Sequence, residues 1–470
     1  MNLKNKIESD LNLKKIIKTV QKSKIDTYLV GGYVRDLFLN RKCKDIDFMT
    51  IGDPYSLVEI ISSKNNFSSV KIFKNFGTAS VIDNNYQFEF VGARKESYSK
   101  DSRNPYVSLG TFEEDINRRD FTINSMAISI NKNYGELIDI KNGLDDLQNK
   151  IIKTCDDPNK TFIDDPLRML RAIRFATQLN FDIEPYTFQA IKDSAERIKI
   201  ISIERITSEV NKIILSNNPS YGFKLLFTTN LLDYFFPEMK KLHGIDKVNN
   251  HAHKDNFYHT LEVLDNVSKT SDSLWLRWSA ILHDIAKPLT KRYSEKNGWT
   301  FHGHEDLGAK IVPKIFKKLR LPLDERMKYV QKLVKLHLRP IALVSSNITD
   351  SAIRRLLFEA GDDIEDLMIL CRADVTTKNP ERAKKYLKNF DIVEGKMEMV
   401  EKNDKVKNFQ PPISGIEIIN IFAIKPSKII GKLKNEIKEQ ILDGKIKNNK
   451  KEALDLLLKL GKSAGLKPKN

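Results

Sequence analysis

Two aspartates one residue apart, Asp45 and Asp47, are the side chains whose spacing first implies chemistry in this 470-residue chain. They lie in an apolar stretch that reads as a strand. Alternation along a strand turns both carboxylates to one face and Ile46 and Phe48 into the core. Strand rise puts their Cβ atoms roughly 6–7 Å apart. Carboxylates at that separation can hold divalent cations between them. Upstream, Gly31-Gly32 follows a short apolar strand (Tyr28, Leu29, Val30) and leaves bare backbone N–H groups beside such cations, and Arg35-Asp36 then opens a helix. This combination suits a nucleoside triphosphate. Glu89 supplies a third carboxylate. Its neighbours Phe88 and Phe90 face the other way, so Glu89 belongs to the polar face of an adjacent strand. A trio of this kind can bridge two Mg²⁺ ions about 3.5–4 Å apart, one activating an attacking hydroxyl and the other neutralising a leaving pyrophosphate. Asp-x-Asp alone is often only a solvated strand face; the glycines and Glu89 give it weight.

The elements that must position these groups follow from periodicity. Residues 1–24 read as helical, with Leu3, Ile7 and Leu11 separated by Lys-rich intervals. Residues 70–73, 78–82 and 86–91 read as strands, with a hairpin turn at Asp83-Asn84-Asn85. This makes a small α/β unit with an antiparallel or mixed sheet. Beyond about residue 150, helical periodicity takes over, interrupted at Pro219, Pro237, Pro340 and Pro380. Residues 402–412 read as a polar linker, and the last 45 or so residues as Lys-rich helices. The fold class is therefore α+β, with an N-terminal head followed by all-α regions. The expected domains are a head at 1–150, a helical neck at 151–245, a third domain at 246–390 and a tail at 391–470.

Lys and Arg number 79 against 62 Asp and Glu, a formal charge of +17. Such an excess favours polyanionic partners, nucleic acid first. Lysine is spread along the chain, as AT-rich coding would also produce, so charge alone carries no nucleic-acid claim. Three scattered cysteines (Cys43, Cys155, Cys371) form neither a metal spacing nor a disulfide framework, which points to a reducing cytoplasm. The amphipathic, charged N-terminus is unlike a signal peptide, and no apolar run is long enough to cross a bilayer.

Together with GGYVRD…DID (31–47), further blocks extend the pattern: RRDFTINSMA (118–127), LIDIKNGLDDL (137–147), DDPLRMLRAIRF (164–175), Pro412-Ile413-Ser414-Gly415 and ILDGKIKN (441–448). In this order they resemble the polymerase-β-like nucleotidyltransferases, in the class II branch that contains bacterial tRNA CCA-adding enzymes and poly(A) polymerases. Two departures are Ile140, where that family usually has Pro, and Asp164, where it usually has Glu. The resemblance implies a polymerase-β-like head, with Gly31, Gly32 and Arg35 contacting the triphosphate. It makes Asp45, Asp47 and Glu89 catalytic metal ligands for Mg²⁺. Arg118, Asp120 and Asn124 would organise ribose and phosphates, and Asp165 and Arg168 would read the base. The implied substrates are CTP, ATP and the tRNA 3′ end.

The base-reading pair has its own rationale. Asp165 and Arg168 are three residues apart, hence neighbours on one helix face. A carboxylate accepts from the exocyclic amine that cytosine and adenine share, and a guanidinium donates to their ring acceptors. Uracil and guanine present the opposite pattern. An acidic residue before Pro166 is also an ordinary helix start; with both Asp164 and Asp165 present, the two readings are compatible. Arg171 and Arg174 would continue a basic surface that grips phosphate. Poly(A) polymerases of this family usually carry a basic Gly-Arg-Arg-Phe-type strand after the aspartates. Here KNFGTASV (74–81) looks more like the CCA-adding pattern, with polyadenylation the alternative. The motifs do not separate full CCA addition from A-only or CC-only addition.

A second constellation runs His259, His283-Asp284 and Asp374. This order resembles the HD superfamily of metal-dependent phosphohydrolases, which implies that these residues close one metal site, with His304 and His337 falling where some members have further metal or phosphate ligands. Imidazole with carboxylate favours Mn²⁺, Ni²⁺, Co²⁺ or Fe²⁺ over Mg²⁺. Such an ion can activate water against a phosphate ester. An HD phosphohydrolase of nucleotides or RNA ends is thus the competing main activity, and an idle helical scaffold the bland one. CCA-adding enzymes with an HD domain exist, which fits the first resemblance. Oligomeric state is not legible.

Overall fold

The computed structural model describes all residues except 65–68, 74–76, 84, 98–105, 249–250, 253, 346–348, 378, 408 and 470. The expected hairpin residue Asn84 and the first three residues of the 74–81 segment lie outside the described residues. The chain divides into two units, Met1–Pro237 and Glu238–Asn470.

The first unit is built on strands β1 (Thr27–Val30), β2 (Asp45–Thr50), β3 (Ser69–Phe73), β4 (Thr78–Asp83), β5 (Tyr86–Gly92), β6 (Arg94–Ser97), β7 (Tyr106–Leu109), β8 (Ala127–Ser129) and β9 (Leu137–Ile138). Seven form one sheet in the order β3-β4-β5-β2-β1-β8-β9, and β6 pairs with β7. The β2–β5 pair is parallel and every other pair in the sheet is antiparallel, so the sheet is mixed. One face is apolar. Ile46, Phe48, Phe88 and Phe90 are fully buried, and Phe48 stacks on Phe90 with centroids 4.7 Å apart. Helix Pro54–Lys64 covers that face with Leu57, Val58 and Ile61. The opposite face of β2 and β5 is left to the carboxylates.

The N-terminal helix expected over 1–24 is two helices, Lys4–Glu8 and Leu11–Ser23. Asp10 separates them by capping the second, its Oδ1 accepting from the Asn12 and Leu13 N–H groups. The break shifts the helical phase. Leu3 and Ile7 are buried, but Leu11 is exposed, and the buried stripe restarts at Leu13, Ile16, Ile17 and Val20. After β9 the described strands are only two or three residues long. Asp165 and the helices Leu167–Leu179 and Ile203–Ile214 complete the wall facing the polar side of the sheet.

The second unit is helical, with short two-stranded pairs at 247–252 and 292–300. Five of its helices, Asn256–Ser268, Leu274–Leu282, His304–Lys318, Glu325–Leu336 and Ile364–Ala373, carry or abut the histidines and aspartates singled out above. Pro219 and Pro380 open helices as N1 residues, whereas Pro313 is tolerated inside one. The expected linker at 402–412 begins later than its composition suggests. Helix Pro380–Asp404 runs into it and stops at Lys405, which adopts φ 47°. No described helix is long and apolar enough to cross a membrane.

Candidate functional sites: a carboxylate cleft and a buried histidine cluster

Gly31 ends β1 with φ 74°, a conformation that favours glycine. A Cβ there would stand 3.0 Å from Asp47 Oδ2 and 3.7 Å from an Arg119 nitrogen. The turn therefore needs glycine both for its dihedral and for the closeness of Asp47. The β2–β5 register sets Asp47 beside Glu89 on the same face, while Asp45 pairs with Gln87. Asp45 is exposed; Asp47 and Glu89 are half-buried. Burial, then the neighbouring Glu89 carboxylate, pushes Asp47 up to about 6, although Arg119 opposes the shift. Glu89 is also raised, again first by burial. Acidic groups that repel one another on a rigid sheet fit a divalent cation, which would relieve that repulsion.

Behind the carboxylates runs a continuous chain of polar contacts. Arg35 Nη1 donates to Asn124 Oδ1 (2.8 Å), and Asn124 Nδ2 donates to Asp120 Oδ1 (3.1 Å). Asp120 Oδ2 accepts from Arg171 Nε (2.8 Å). Burial works against the Asp120 charge, yet Arg171 and Asn124 hold its carboxyl well below the usual range. Arg35 is itself buried and forked onto Asp36. Arg118 and Arg119 both pair with the buried Asp115. Arg35, Arg171 and Arg174 surround one ring, Phe175, at 5.1, 5.4 and 4.2 Å from its centroid.

All thirteen head and neck residues singled out in the sequence line one cavity of about 1360 Å³. Two local expectations fail. Asp165 and Arg168 do not share a helix face. Asp165 is extended (φ −137°, ψ 95°) at the junction of two helices, because a residue before proline is driven out of the helical region. Its Oδ1 accepts from Leu167 N–H (3.1 Å), and Arg168 Nη2 donates to the Arg118 carbonyl (2.7 Å). Nor does Arg174 continue an open basic surface. It is buried and paired with Glu209 at 2.8 Å. Burial, then Arg171, pushes Arg174 down to about 10. The cavity also includes Arg94, Glu96, Asp115, Arg119, Arg205 and Glu209, which the sequence reading missed. Arg119 lay inside a quoted block. Glu209 had a signal: it is a charge among the buried Ile206, Val210 and Ile213 of an amphipathic helix.

The second unit brings its six singled-out residues together. His259 Nε2 lies 2.9 Å from Asp374 Oδ1 and 3.4 Å from Asp284 Oδ2. His283 Nε2 lies 3.2 Å from Asp284 Oδ2. His304 Nε2 lies 3.2 Å from Asp284 Oδ1 and 3.3 Å from His337 Nε2. Two triads, His259–His283–Asp284 and Asp284–His304–His337, each have ligand atoms within 4.8 Å of one another. Every ring is anchored through Nδ1: His283 on Ala280 O (2.8 Å), His304 on Phe301 O (2.8 Å), His337 on Val334 O (2.6 Å) and His259 on Thr376 Oγ1 (2.8 Å). The three carbonyls can only accept, so they fix the tautomer of His283, His304 and His337 and aim Nε2 inward, as metal-ligating histidines require, whereas the Thr376 hydroxyl, able to donate or accept, fixes the orientation of His259. The buried His283 Nε2 and Asp284 Oδ2 have no hydrogen-bond partner of good geometry, which fits a metal as the missing partner. Burial holds His337 down to about 4, keeping a lone pair on Nε2. A pocket of about 600 Å³ opens beside Asp374, lined by Lys254, Thr376, Tyr386 and Phe390.

Residues 27–153 match the family model for the poly A polymerase head domain, 180–242 the probable RNA- and SrmB-binding site of polymerase A, and 256–379 the HD domain. The CCA-adding enzyme of Lactobacillus helveticus is 37% identical over 218 residues, 46% of this chain and about half, 53%, of that enzyme. That of Pediococcus pentosaceus is 27% identical over 452 residues, 95% of this chain and 97% of that one. The fold resembles a crystal structure of the Bacillus stearothermophilus CCA-adding enzyme in complex with CTP, with a TM-score of 0.64 and 23% identity, covering 96% of this chain and 97% of that one. The order of these matches, a poly A polymerase head, an RNA-binding segment and an HD domain, and the likeness along the whole chain to a CCA-adding enzyme bear out the resemblance to the tRNA nucleotidyltransferase and poly(A) polymerase family.

Proposed function

We propose that the first unit adds C, C and A to the 3′ end of tRNA, using CTP and ATP without a nucleic-acid template. The observation that carries this reading is the single cavity that gathers the Asp45–Asp47–Glu89 face, the Gly31-Gly32 turn and the Asp165/Arg168 junction. Asp45, Asp47 and Glu89 would hold Mg²⁺, which supplies hydroxyl activation and charge neutralisation when bound. Gly31 and Gly32 leave backbone N–H groups open to the triphosphate, and Arg35 braces the turn through Asn124. Arg118, Asp120, Asn124 and Arg171 form the charge-balanced floor on which ribose and phosphates are oriented. Asp165 accepts from the exocyclic amine of C or A. Arg168, pinned by one N–H on Arg118 O, retains further donors for the ring acceptors. Arg174 acts indirectly, through Phe175 and Glu209. The 3′-hydroxyl attacks the α-phosphorus in line, the bond to the bridging oxygen breaks, and pyrophosphate leaves. Catalysis is mostly positioning and electrostatics.

In this reading residues 1–150 are the catalytic head and 151–245 the neck that selects the base and binds RNA. Residues 246–390 form the HD domain, and the Lys-rich 391–470 hold tRNA phosphates in the cytoplasm. His259, His283, Asp284 and Asp374 would hold a Mn²⁺- or Ni²⁺-class ion, with His304 and His337 completing a second position on Asp284; such an ion supplies a water nucleophile for phosphate-ester hydrolysis.

The test offers tRNA lacking its last three nucleotides with each nucleoside triphosphate singly and in pairs. CTP must add first, and ATP only after two C residues. Long A-tails would instead favour polyadenylation, and UTP incorporated as readily as CTP would remove the base-reading role of Asp165 and Arg168.

A further inference from the structure

The HD cluster contains a cation of its own that the metal reading does not use. Lys287 opens the helix Lys287–Thr290, one turn beyond Asp284, with its N–H on the Asp284 carbonyl (2.9 Å). Its Nζ stands 2.6 Å from Asp284 Oδ2, the oxygen that also faces His259 Nε2 (3.4 Å) and His283 Nε2 (3.2 Å). Asp284 is 1% exposed, so the pair is almost out of water on the carboxylate side. The approach lies outside hydrogen-bonding angles, because Oδ2 remains without a well-formed hydrogen bond despite the short distance. The ammonium is thus placed as a charge against the carboxylate, not as a directed donor. From the other side it lies over Phe301 (5.6 Å to the centroid), whose carbonyl anchors His304.

We propose that Lys287 is a built-in competitor for the HD metal. Its ammonium and a divalent cation held between His259 and His283 claim the same oxygen, Asp284 Oδ2, so a cation entering that position competes with Lys287 for it. This inference rests on the HD cluster being a metal site. The physical reason is charge and space. Asp284 is buried among four imidazoles and Lys287, so a carboxylate without a cation there would be costly. Lys287 supplies that cation before a metal arrives. The same contact then weakens metal binding, since the Lys287–Asp284 attraction is lost on displacement. Lys287 lies outside the ligand set, and its flexible stem, 19% exposed, gives the ammonium a route away from the cluster.

The test is Mn²⁺ titration of the full chain by calorimetry, in an Asp45→Asn, Asp47→Asn background so that the HD cluster dominates the signal. Lys287→Met should bind Mn²⁺ about tenfold more tightly, with Lys287→Gln between Met and the parent. Lys287→Arg, which keeps the charge, should stay near the parent. The metal-free Lys287→Met protein should melt at a lower temperature than the parent, and saturating Mn²⁺ should close that gap. Should Lys287→Met fail to fold without metal, the Gln variant carries the comparison. Unchanged or weaker Mn²⁺ affinity in both variants overturns the competitor role while leaving the metal site standing. Binding by neither parent nor variants overturns the metal reading and the competitor role together.

Discussion

The two candidate metal centres of this chain solve opposite problems. In the head, three carboxylates sit on adjacent strands, offer only oxygen, and face a wide cavity. In the HD cluster, imidazoles and carboxylates project from helix ends, are almost wholly buried, and each ring is tied down behind. Oxygen-only ligands on an open face suit a hard cation that arrives and leaves with a triphosphate. Buried, pre-aimed nitrogens suit a softer ion that stays. Dialysis against metal-free buffer should therefore strip the head and leave transition metal in the HD cluster, read by elemental analysis. Equal loss from both would erase the distinction.

The largest effect should come from breaking the head alone. Asp47→Ala is expected to lower CTP incorporation by about a thousandfold or more, since it removes the central carboxylate of the trio. HD metal content should not change. His283→Ala should do the reverse, losing HD metal while leaving CTP incorporation within about twofold. A large fall in incorporation for His283→Ala would mean that the two centres are not independent. Gly31→Ala comes next. It forces a side chain into φ 74° and to 3.0 Å from Asp47 Oδ2, so kcat/KM should fall about a hundredfold. Such an effect without loss of Mg²⁺ affinity would assign the turn to the triphosphate and not to the metal.

How much of each centre was legible in the sequence follows the same division. Strand alternation alone placed Asp45 and Asp47 on one face with Ile46 and Phe48 opposite, and the flanking Phe88 and Phe90 oriented Glu89. A period of two tolerates no other arrangement once one face is apolar. The helical parts were less readable. Asp165 and Arg168 have helical spacing, but Pro166 ends that inference one residue after it begins. Arg174 looked like surface because its partner, Glu209, is 35 residues away on another helix. In the HD cluster the ligand types and their order were plain. The anchors were not, because three of the four are main-chain carbonyls, which leave no trace in side-chain identity.

The head's floor depends on charge balance, and that can be tested without turnover. Asp120→Asn leaves Arg171 facing a neutral amide in a buried setting, at a cost of about 2–4 kcal/mol to the first unit. Asp120 titrates below its ordinary 3.8 in the folded chain. Its stabilisation is therefore complete above that value and lost only as pH falls further toward the lowered pKa. The denaturant-measured difference between parent and variant should be the same at pH 5 and pH 8. A difference that changes across that interval would show that Asp120 is not held ionised by Arg171.

The smallest effect probes the one weak anchor of the HD cluster. His283, His304 and His337 rest on Ala280, Phe301 and Val334 carbonyls, which no side-chain substitution removes. His259 rests on a side chain, Thr376 Oγ1. Thr376→Val keeps the shape and deletes the anchor, so Mn²⁺ affinity should fall about tenfold, and Thr376→Ser should restore it. Thr376 also receives Lys254, whose ammonium lies 3.3 Å from the same imidazole nitrogen. Lys254→Met separates the two contributions. If it alone reproduces the Val effect, the ring is held by electrostatics and not by the hydroxyl. If it leaves affinity unchanged, the hydroxyl is the anchor. A Val variant with parental affinity would show that burial by itself aims His259, and the tethering that sets this cluster apart from the head would then rest on three rings instead of four.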